Sequence, residues 1–449
     1  MGNKLFGTDG VRGVANQYPM TIKFAMNLAQ ACALIICTNR KKVAIAKDTR
    51  ISCDMLEAAL TAGFTAQGVD VLQIGVLPTP ALTTVTENLG VDMSVMITAS
   101  HNPFHDNGIK LIDAQGNKFS DDVTGKIEEL IMQGEFPTNP DAIGKVFHNS
   151  EALSCYLAVV KSICQGESHP LKGLKIVVDC ANGAFSDIMP QVFLELGAGV
   201  IRLSDVPDGY NINRDCGSQH IDNLLKTVKE SHADIGIACD GDGDRIIVCD
   251  EHGQKIPTEQ LIAFLAQYMK NSGLLNGRPV VSTILSNTGL DSFVESLGVA
   301  YYATKVGERY VIEKMKEVNS PIGGEESGHV VLGDYSKTGD ALMVSLFLCL
   351  GLVKSSKKMS ELFPVFRSEP FVFENIRFSS NDAVQNAINS SDVIGIVEKA
   401  KKAIEGQGRV VFRASGTEPL VRIWVGGKDE KLVNELSAEI IGTVLRLKN

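Results

Sequence analysis

The sequence predicts an α/β protein of four domains: three similar α/β domains built on mixed or parallel sheets, and a smaller C-terminal α+β domain. Three observations carry this. At 449 residues the chain exceeds what a single hydrophobic core sustains. A strand–helix–strand–helix–strand pattern recurs three times, and strands alternating with helices at that spacing mean βαβ units. Beyond about residue 367 the composition changes to helical segments flanking a hairpin. The expected domains are 1–153, 154–254, 255–366 and 367–449.

The first copy opens with a strand at Val43–Ala46. A helix follows at Asp54–Gln67, then a strand at Val69–Ile74, a second helical stretch and the apolar strand Met93–Ile97. The second copy runs through the strand Lys175–Val178, a helix at Ser186–Leu196, the strand Val200–Leu203, a helix near Asn223–Ser231 and the strand Ile235–Cys239. The third has a strand at Pro279–Ser282, a helix near Leu290–Leu297, a strand at Ala300–Ala303, a helix at Tyr310–Val318 and a short loop at Gly323–Gly324. Spacing differs between copies, so the repeat is structural rather than literal. The last domain holds helices at Ala383–Asn389 and Lys431–Leu447, with a hairpin at Arg409–Val425 between them.

Each copy ends its third strand in a polar loop: TASHNP around Ser100, DGDGDR at Asp240–Arg245, and GGEESGH at Gly323–His329. In homologous domains these loops would occupy equivalent sheet edges and face one cleft, where open α/β sheets place their chemistry. After Ser100 the chain passes through Asn102-Pro103 and a turn signal at Asn107-Gly108 before a strand resumes at Ile109–Ile112.

A net charge of −10 argues against a nucleic-acid binder or an anionic membrane surface. The ten cysteines form no C-x-x-C pair or zinc spacing and read as small core residues of a reducing cytoplasm. The N-terminus has no signal-peptide core, and Phe6 stands where a myristoylation signal wants Ser or Thr. The longest apolar run, Ala341–Val353, is too short to span a bilayer and predicts a buried helix.

Asp240, Asp242 and Asp244 alternate with glycines. Three carboxylates converging within about 4 Å repel by on the order of 4 kcal/mol per pair at an effective dielectric of about 20, so a hard cation is the expected resolution. An all-oxygen set suits Mg²⁺, Mn²⁺ or Ca²⁺ rather than zinc, and three ligands leave room for water and a phosphate oxygen, which is Mg²⁺ behaviour. An EF-hand fits the acids, with Glu251 at its twelfth position. It fails because Arg245 stands where the turn needs Gly and both flanks are strand-like.

In the hairpin, Ser415, Gly416 and Thr417 supply hydroxyls and turn amides for an anion nest, and Arg413 and Arg422 add planar forks suited to phosphate. Glu325 and Ser327 offer groups that read sugar hydroxyls, with His329 two residues on. GTDGVRG, Gly7–Gly13, is a glycine-punctuated loop with Arg12 at its tip. No Walker A sequence is present. Ser100 and His101, as chain neighbours, are not expected to pair as nucleophile and base, which weakens a serine-hydrolase reading.

Six motifs in order, GTDGVRG, TASHNP, DGDGDR, TKVGER (Thr304–Arg309), GEESGH and RASGTEP (Arg413–Pro419), make the chain resemble the α-D-phosphohexomutase superfamily, most closely its bacterial phosphoglucosamine mutases. The resemblance spans nearly the whole chain. It implies three α/β domains with mixed sheets and a smaller, swinging fourth domain around a central cleft. It implies that Ser100 is a phosphoserine, with Mg²⁺ held by Asp240, Asp242, Asp244 and the Ser100 phosphate. Glucosamine 6-phosphate would become glucosamine 1-phosphate through a 1,6-bisphosphate, feeding UDP-N-acetylglucosamine and cell-envelope synthesis.

The same resemblance gives Arg12 a charge-stabilising role, makes Lys110, His329 and His101 the proton-transfer candidates, and sets Arg245 and Lys305 to orient Ser100 and the sugar. Glu325 and Ser327 would grip sugar hydroxyls, and Ser415, Gly416, Thr417, Arg422 and Arg413 would hold the other phosphate. No nucleic-acid or membrane partner is implied, and a homodimer is compatible with the chain. Two other readings stay open: the same chemistry on glucose or mannose phosphates, and a non-catalytic sugar-phosphate binder, against which Ser100 and the three intact aspartates argue.

Overall fold

The computed structural model describes residues 5–7, 9–415 and 418–448. The first domain holds β1 (Val11–Val14), β2 (Lys42–Lys47), β3 (Asp70–Val76), β4 (Met93–Ile97), β5 (Asp106–Asp113) and β6 (Val146–His148), ordered β1-β5-β4-β2-β3-β6. The second holds β7 (Lys175–Asp179), β8 (Gly199–Leu203), β9 (Ile235–Cys239), β10 (Ile246–Asp250) and β11 (Lys255–Ile256), ordered β11-β10-β9-β7-β8. The third holds β12 (Val280–Thr283), β13 (Tyr301–Thr304), β14 (Ile322–Gly324) and β15 (Val330–Leu332), ordered β13-β12-β14-β15.

One unit is common to all three sheets. A first strand pairs in parallel with a second and a third, and a fourth pairs antiparallel to the third. These are the strands β2, β3, β4, β5; then β7, β8, β9, β10; then β12, β13, β14, β15. The polar loops are therefore topologically equivalent, each joining a buried parallel strand to an antiparallel neighbour. The fourth domain carries β16 (Phe371–Arg377), β17 (Gly408–Ala414) and β18 (Leu420–Gly427) as an antiparallel sheet ordered β16-β18-β17.

The cores set the fourth domain apart from the other three. One continuous apolar cluster runs from Ala46 and Leu82 in the first domain through Tyr156 and Phe193 to Leu342 and Phe347 in the third. The helix Ala341–Ser355 is apolar on every side and buried from Ala341 to Leu352, as a helix without a polar face must be. The fourth domain keeps a separate core around Val393, Val421 and Ile440. Among the described residues no helix is long and apolar enough to cross a membrane. Nine of the ten cysteines are buried, Cys155 is exposed, and all are free.

Three local expectations are corrected. Asn107 and Gly108 lie inside β5 rather than in a turn, because β1 packs against this edge. A Cβ on Gly108 would come within 2.5 Å of the Thr98 carbonyl and 2.9 Å of that of Val11, so the glycine serves close strand approach. Arg12 sits within β1, opposite Gly108, instead of at a loop tip. Gly323 and Gly324 are not a loop: they form β14, whose three residues are all buried.

Candidate active site

Ser100 follows the fully buried β4 and adopts a left-handed backbone, φ 54°. Its Oγ donates a hydrogen bond to Asp240 Oδ2 at 2.6 Å, joining the first domain's loop to the second's. His101 Nδ1 lies 3.3 Å from the same Oγ. Sequence adjacency argued against that approach, but the positive φ folds the chain back at this residue and brings the two side chains together.

Asp240, Asp242 and Asp244 are buried, and one carboxylate oxygen from each lies within 4.8 Å of the others. Asp242 Oδ2 accepts from Thr79 Oγ1 at 2.5 Å and from Lys110 Nζ at 2.8 Å, and Asp244 Oδ2 accepts from Lys110 Nζ at 3.0 Å. Asp242 Oδ1 is buried without a hydrogen-bond partner among the described residues. Burial, then the charges of Asp244 and Asp242, push the Asp240 carboxyl up; burial and Asp244 do the same to Asp242. Asp244 is held well below its ordinary value despite its burial, through Lys110 and His329. The cluster is therefore short of positive charge.

A second set of charges surrounds it. Lys110 Nζ also lies 3.0 Å from Asp9, which pairs with Lys118 and Arg12 at 2.6 Å each, and Lys118 reaches Glu308 at 2.8 Å. Asp9, Lys118 and Glu308 were not singled out from the sequence. Asp9 and Glu308 lie inside GTDGVRG and TKVGER, but only the fold supplies the cations that give them a role.

On the third domain's loop, Glu325 Oε1 accepts from Ser327 Oγ at 2.6 Å and lies 2.9 Å from His329 Nδ1, while Oε2 accepts from the Gly307 N–H at 3.0 Å. Burial opposes ionisation of Glu325, yet the bond to His329 and its charge hold the carboxyl down at about 2. Burial would lower His329, but Asp244, 3.2 Å away, and Glu308 raise it to about 10. His101 behaves oppositely: burial, then Arg245 and Arg12, press it down to about 3. At neutral pH His329 carries a proton and His101 does not. Arg245 Nε lies 3.3 Å from His329 Nε2, and the Arg245 N–H donates to Asp240 Oδ1 at 3.2 Å.

Arg12, His101, Lys118, Arg245, Glu325 and His329 line a cleft of about 600 Å³ between the first three domains. Lys305 is not on that lining; it is exposed, with Nζ 6.0 Å over the Tyr310 ring. In the fourth domain Arg413 and Arg422 stand opposite each other in the β17–β18 register, and both Nε atoms are buried without hydrogen-bond partners among the described residues. Burial and then Arg422 lower the Arg413 pKa, with Glu326 opposing. Two adjacent guanidiniums form a concentration of positive charge of the kind that suits an anion. Ser415 follows on the same turn, its N–H donating to the Leu420 carbonyl. Gly416 and Thr417 lie outside the described residues. Glu251 is bound by Ser360 and takes no part in the acid cluster, which disposes of the EF-hand.

A hydroxyl facing three acids, flanked by arginines, lysines and two histidines of opposite protonation, suits transfer of a phosphoryl group, which needs positioning and charge neutralisation. Comparison with known proteins agrees. The family described as phosphoglucomutase/phosphomannomutase matches in four parts: alpha/beta/alpha domain I over residues 3–138, domain II over 154–253, domain III over 257–367 and the C-terminal domain over 374–443. A phosphoglucosamine mutase of Phenylobacterium zucineum is 43% identical over 452 residues, covering 98% of each chain. Two solved structures share the fold. A phosphoglucomutase/phosphomannomutase family protein from Burkholderia thailandensis has a TM-score of 0.81 and 23% identity, covering 99% of this chain and 98% of its own. Aspergillus fumigatus N-acetylphosphoglucosamine mutase, in complex with GlcNAc-6P and magnesium, has a TM-score of 0.65 and 15% identity, covering 99% and 96%. With four domain matches in order and a full-length relative of this likeness, the chain belongs to the phosphoglucosamine mutase family of the α-D-phosphohexomutase superfamily.

Proposed function

We propose that this protein interconverts glucosamine 6-phosphate and glucosamine 1-phosphate, carrying the phosphoryl group on Ser100 and passing through the 1,6-bisphosphate. The observation that carries the reading is the 2.6 Å contact of Ser100 Oγ with Asp240 at the edge of a three-acid cluster. The orphaned Asp242 Oδ1 and the all-oxygen donor set fit a hard divalent cation. Asp240, Asp242 and Asp244 would hold Mg²⁺, together with a phosphate oxygen on Ser100. The ion supplies neutralisation of the charge that develops on the transferring group.

The chain's own residues do the rest. Arg12 and Arg245 face the cleft and attract the phosphoryl oxygens. Lys110 stays charged among Asp9, Asp242 and Asp244 and balances them. One proton must leave the attacking sugar hydroxyl and one must arrive at Ser100 Oγ. His101 is the neutral imidazole able to accept the first, and His329, protonated, is able to return one. Glu325 and Ser327 hold the sugar, and Arg413 and Arg422 hold the phosphate that is not reacting. Turning the bisphosphate end for end then exchanges the two phosphates at one site, with Arg245 and Lys305 orienting Ser100 and the sugar. The separate core of the fourth domain supports a domain that opens for this turn.

Intact-mass analysis and a coupled assay test the reading. Ser100→Ala is expected to fold, to take no phosphate from glucose 1,6-bisphosphate, and to lose mutase activity; turnover comparable to the parent removes the phosphoenzyme. A kcat/KM for glucose 1-phosphate or mannose 1-phosphate above that for the amino sugar moves the protein to the neutral-sugar chemistry. A parent protein that binds sugar phosphates but never phosphorylates Ser100 is a binder only.

A further inference from the structure

The left-handed φ of 54° at Ser100 is a conformation a residue with a side chain keeps only when its surroundings enforce it. Arg50, a buried residue on the loop after β2 and absent from every motif read from the sequence, bonds to this turn. A guanidinium has five N–H donors, and all five are used. Nε donates to Asp48 Oδ2 at 2.9 Å. Nη2 donates to the carbonyls of Ser100 at 2.9 Å and Asn102 at 2.8 Å, and Nη1 to those of Asp106 at 3.0 Å and Pro103. One planar fork thus gathers four carbonyls of the turn that presents the nucleophile.

The second domain closes the same turn from its other side. Asn213 Nδ2 donates to the Ser100 carbonyl at 2.9 Å and to that of Asn102 at 3.0 Å. Gly241, between two of the clustered acids, comes so close that an added Cβ would lie 2.8 Å from the Ser100 carbonyl and 2.9 Å from Asn213 Nδ2. The Ser100 carbonyl is therefore held from two domains at once, while its Oγ points at Asp240.

We propose that Arg50 and Asn213 are positioning residues for phosphoryl transfer, a two-domain clamp on the Ser100 carbonyl that fixes the aim of its hydroxyl relative to the acid cluster. The proposal rests on Ser100 as the phosphorylated residue. Both side chains are buried and neither is on the cleft lining, so the clamp acts on the transfer step and leaves sugar binding to the third and fourth domains. Lysine cannot replace Arg50, because one ammonium offers three donors from a single point and cannot span four carbonyls.

The test uses the full-length protein with Mg²⁺ and compares Arg50→Lys and Asn213→Ala with the parent. The readouts are the rate at which glucose 1,6-bisphosphate phosphorylates Ser100, followed by intact mass, then KM for the sugar phosphate, and the thermal midpoint. Misplacing a reacting group by about 1 Å costs on the order of 100-fold in rate. The expected result is a loss of about 100-fold in Ser100 loading and kcat for Arg50→Lys and roughly 10-fold for Asn213→Ala, with KM within about 3-fold of the parent. Arg50→Ala is expected to recover part of its loading rate when millimolar methylguanidinium is added, while Arg50→Lys does not respond. Asn213→Ala leaves no buried charge unpaired, so it keeps the test sharp if the Arg50 variants unfold. Folded variants that load Ser100 at the parent rate overturn the clamp alone. A parent protein that takes up no phosphate overturns the phosphoserine and the clamp with it.

Discussion

Lys110→Met probes the electrostatics of the centre without touching Ser100 or the three acids. The Lys110 ammonium lies 2.8 Å from Asp242, 3.0 Å from Asp244 and 3.0 Å from Asp9, and its side chain is 3% exposed. At an effective dielectric of about 20, an ion pair near 3 Å is worth about 5 kcal/mol in gross attraction. Desolvation offsets most of this, and removing one partner of a buried ion pair costs about 3–5 kcal/mol because the remaining charge is stranded. In metal-free protein the variant should therefore lose about 3–5 kcal/mol, or roughly 10 °C in the midpoint of the unit containing the first two domains. Mg²⁺ supplies the missing positive charge, so it should raise the variant's midpoint more than the parent's and bind the variant more tightly. Differential scanning calorimetry with and without Mg²⁺, alongside a calorimetric titration, reads both. A metal-free variant as stable as the parent, or one that gains no more from Mg²⁺, would refute the claim that lysine and metal serve the same carboxylates.

Thr79 donates to Asp242 from the first domain, so Thr79→Val should weaken Mg²⁺ binding by about 10-fold, as loss of a hydrogen bond to a metal ligand does, and a titration checks it. If Arg413 holds the non-reacting phosphate as proposed, Arg413→Ala removes a charged contact worth about 1.5–3 kcal/mol and should raise KM about 10- to 100-fold. Its midpoint should hold or rise slightly, because two like charges no longer face each other across β17 and β18. Asp340 caps the helix Ala341–Ser355 and accepts from Tyr156 Oη, and burial pushes its carboxyl up to about 6. A raised carboxyl favours the protonated fold. Its stabilising contribution is complete below about pH 4 and lost as pH rises through about 6, some 3 kcal/mol in all. Asp340→Asn should lack this decline when denaturant unfolding is compared at pH 4.5 and pH 8.

Two of the loops were legible because each follows an apolar strand that has no alternative to burial: Met93–Ile97 and Ile235–Cys239 fall where the sequence places them. Strand endings were harder. Gly108 looks like a turn residue, yet its missing side chain lets β1 approach, and that is a fact about a partner about a hundred residues away. Gly323 and Gly324 read as a loop for the same reason. Whole helices escaped, among them Ile22–Ile35 and Thr258–Asn271, since the repeat was traced from its strands. At the site, the sequence itself marks the residues that speak through their own chemistry: Ser100, the three aspartates and the histidines. Residues that speak through backbone carbonyls were not. Arg50 acts on Ser100 from 50 positions away and Asn213 from 113, and no local pattern marks a side chain whose partners are main-chain oxygens. The approach of His101 to Ser100 was hidden for a different reason: adjacency in sequence does not show what a left-handed turn does.

The most direct measurement is an anomalous difference map from crystals of the phosphorylated protein grown with Mn²⁺ in place of Mg²⁺. One strong peak is expected, enclosed by Asp240, Asp242, Asp244 and the phosphate on Ser100. A map with no peak there, or with the manganese bound away from that serine, would contradict that expectation.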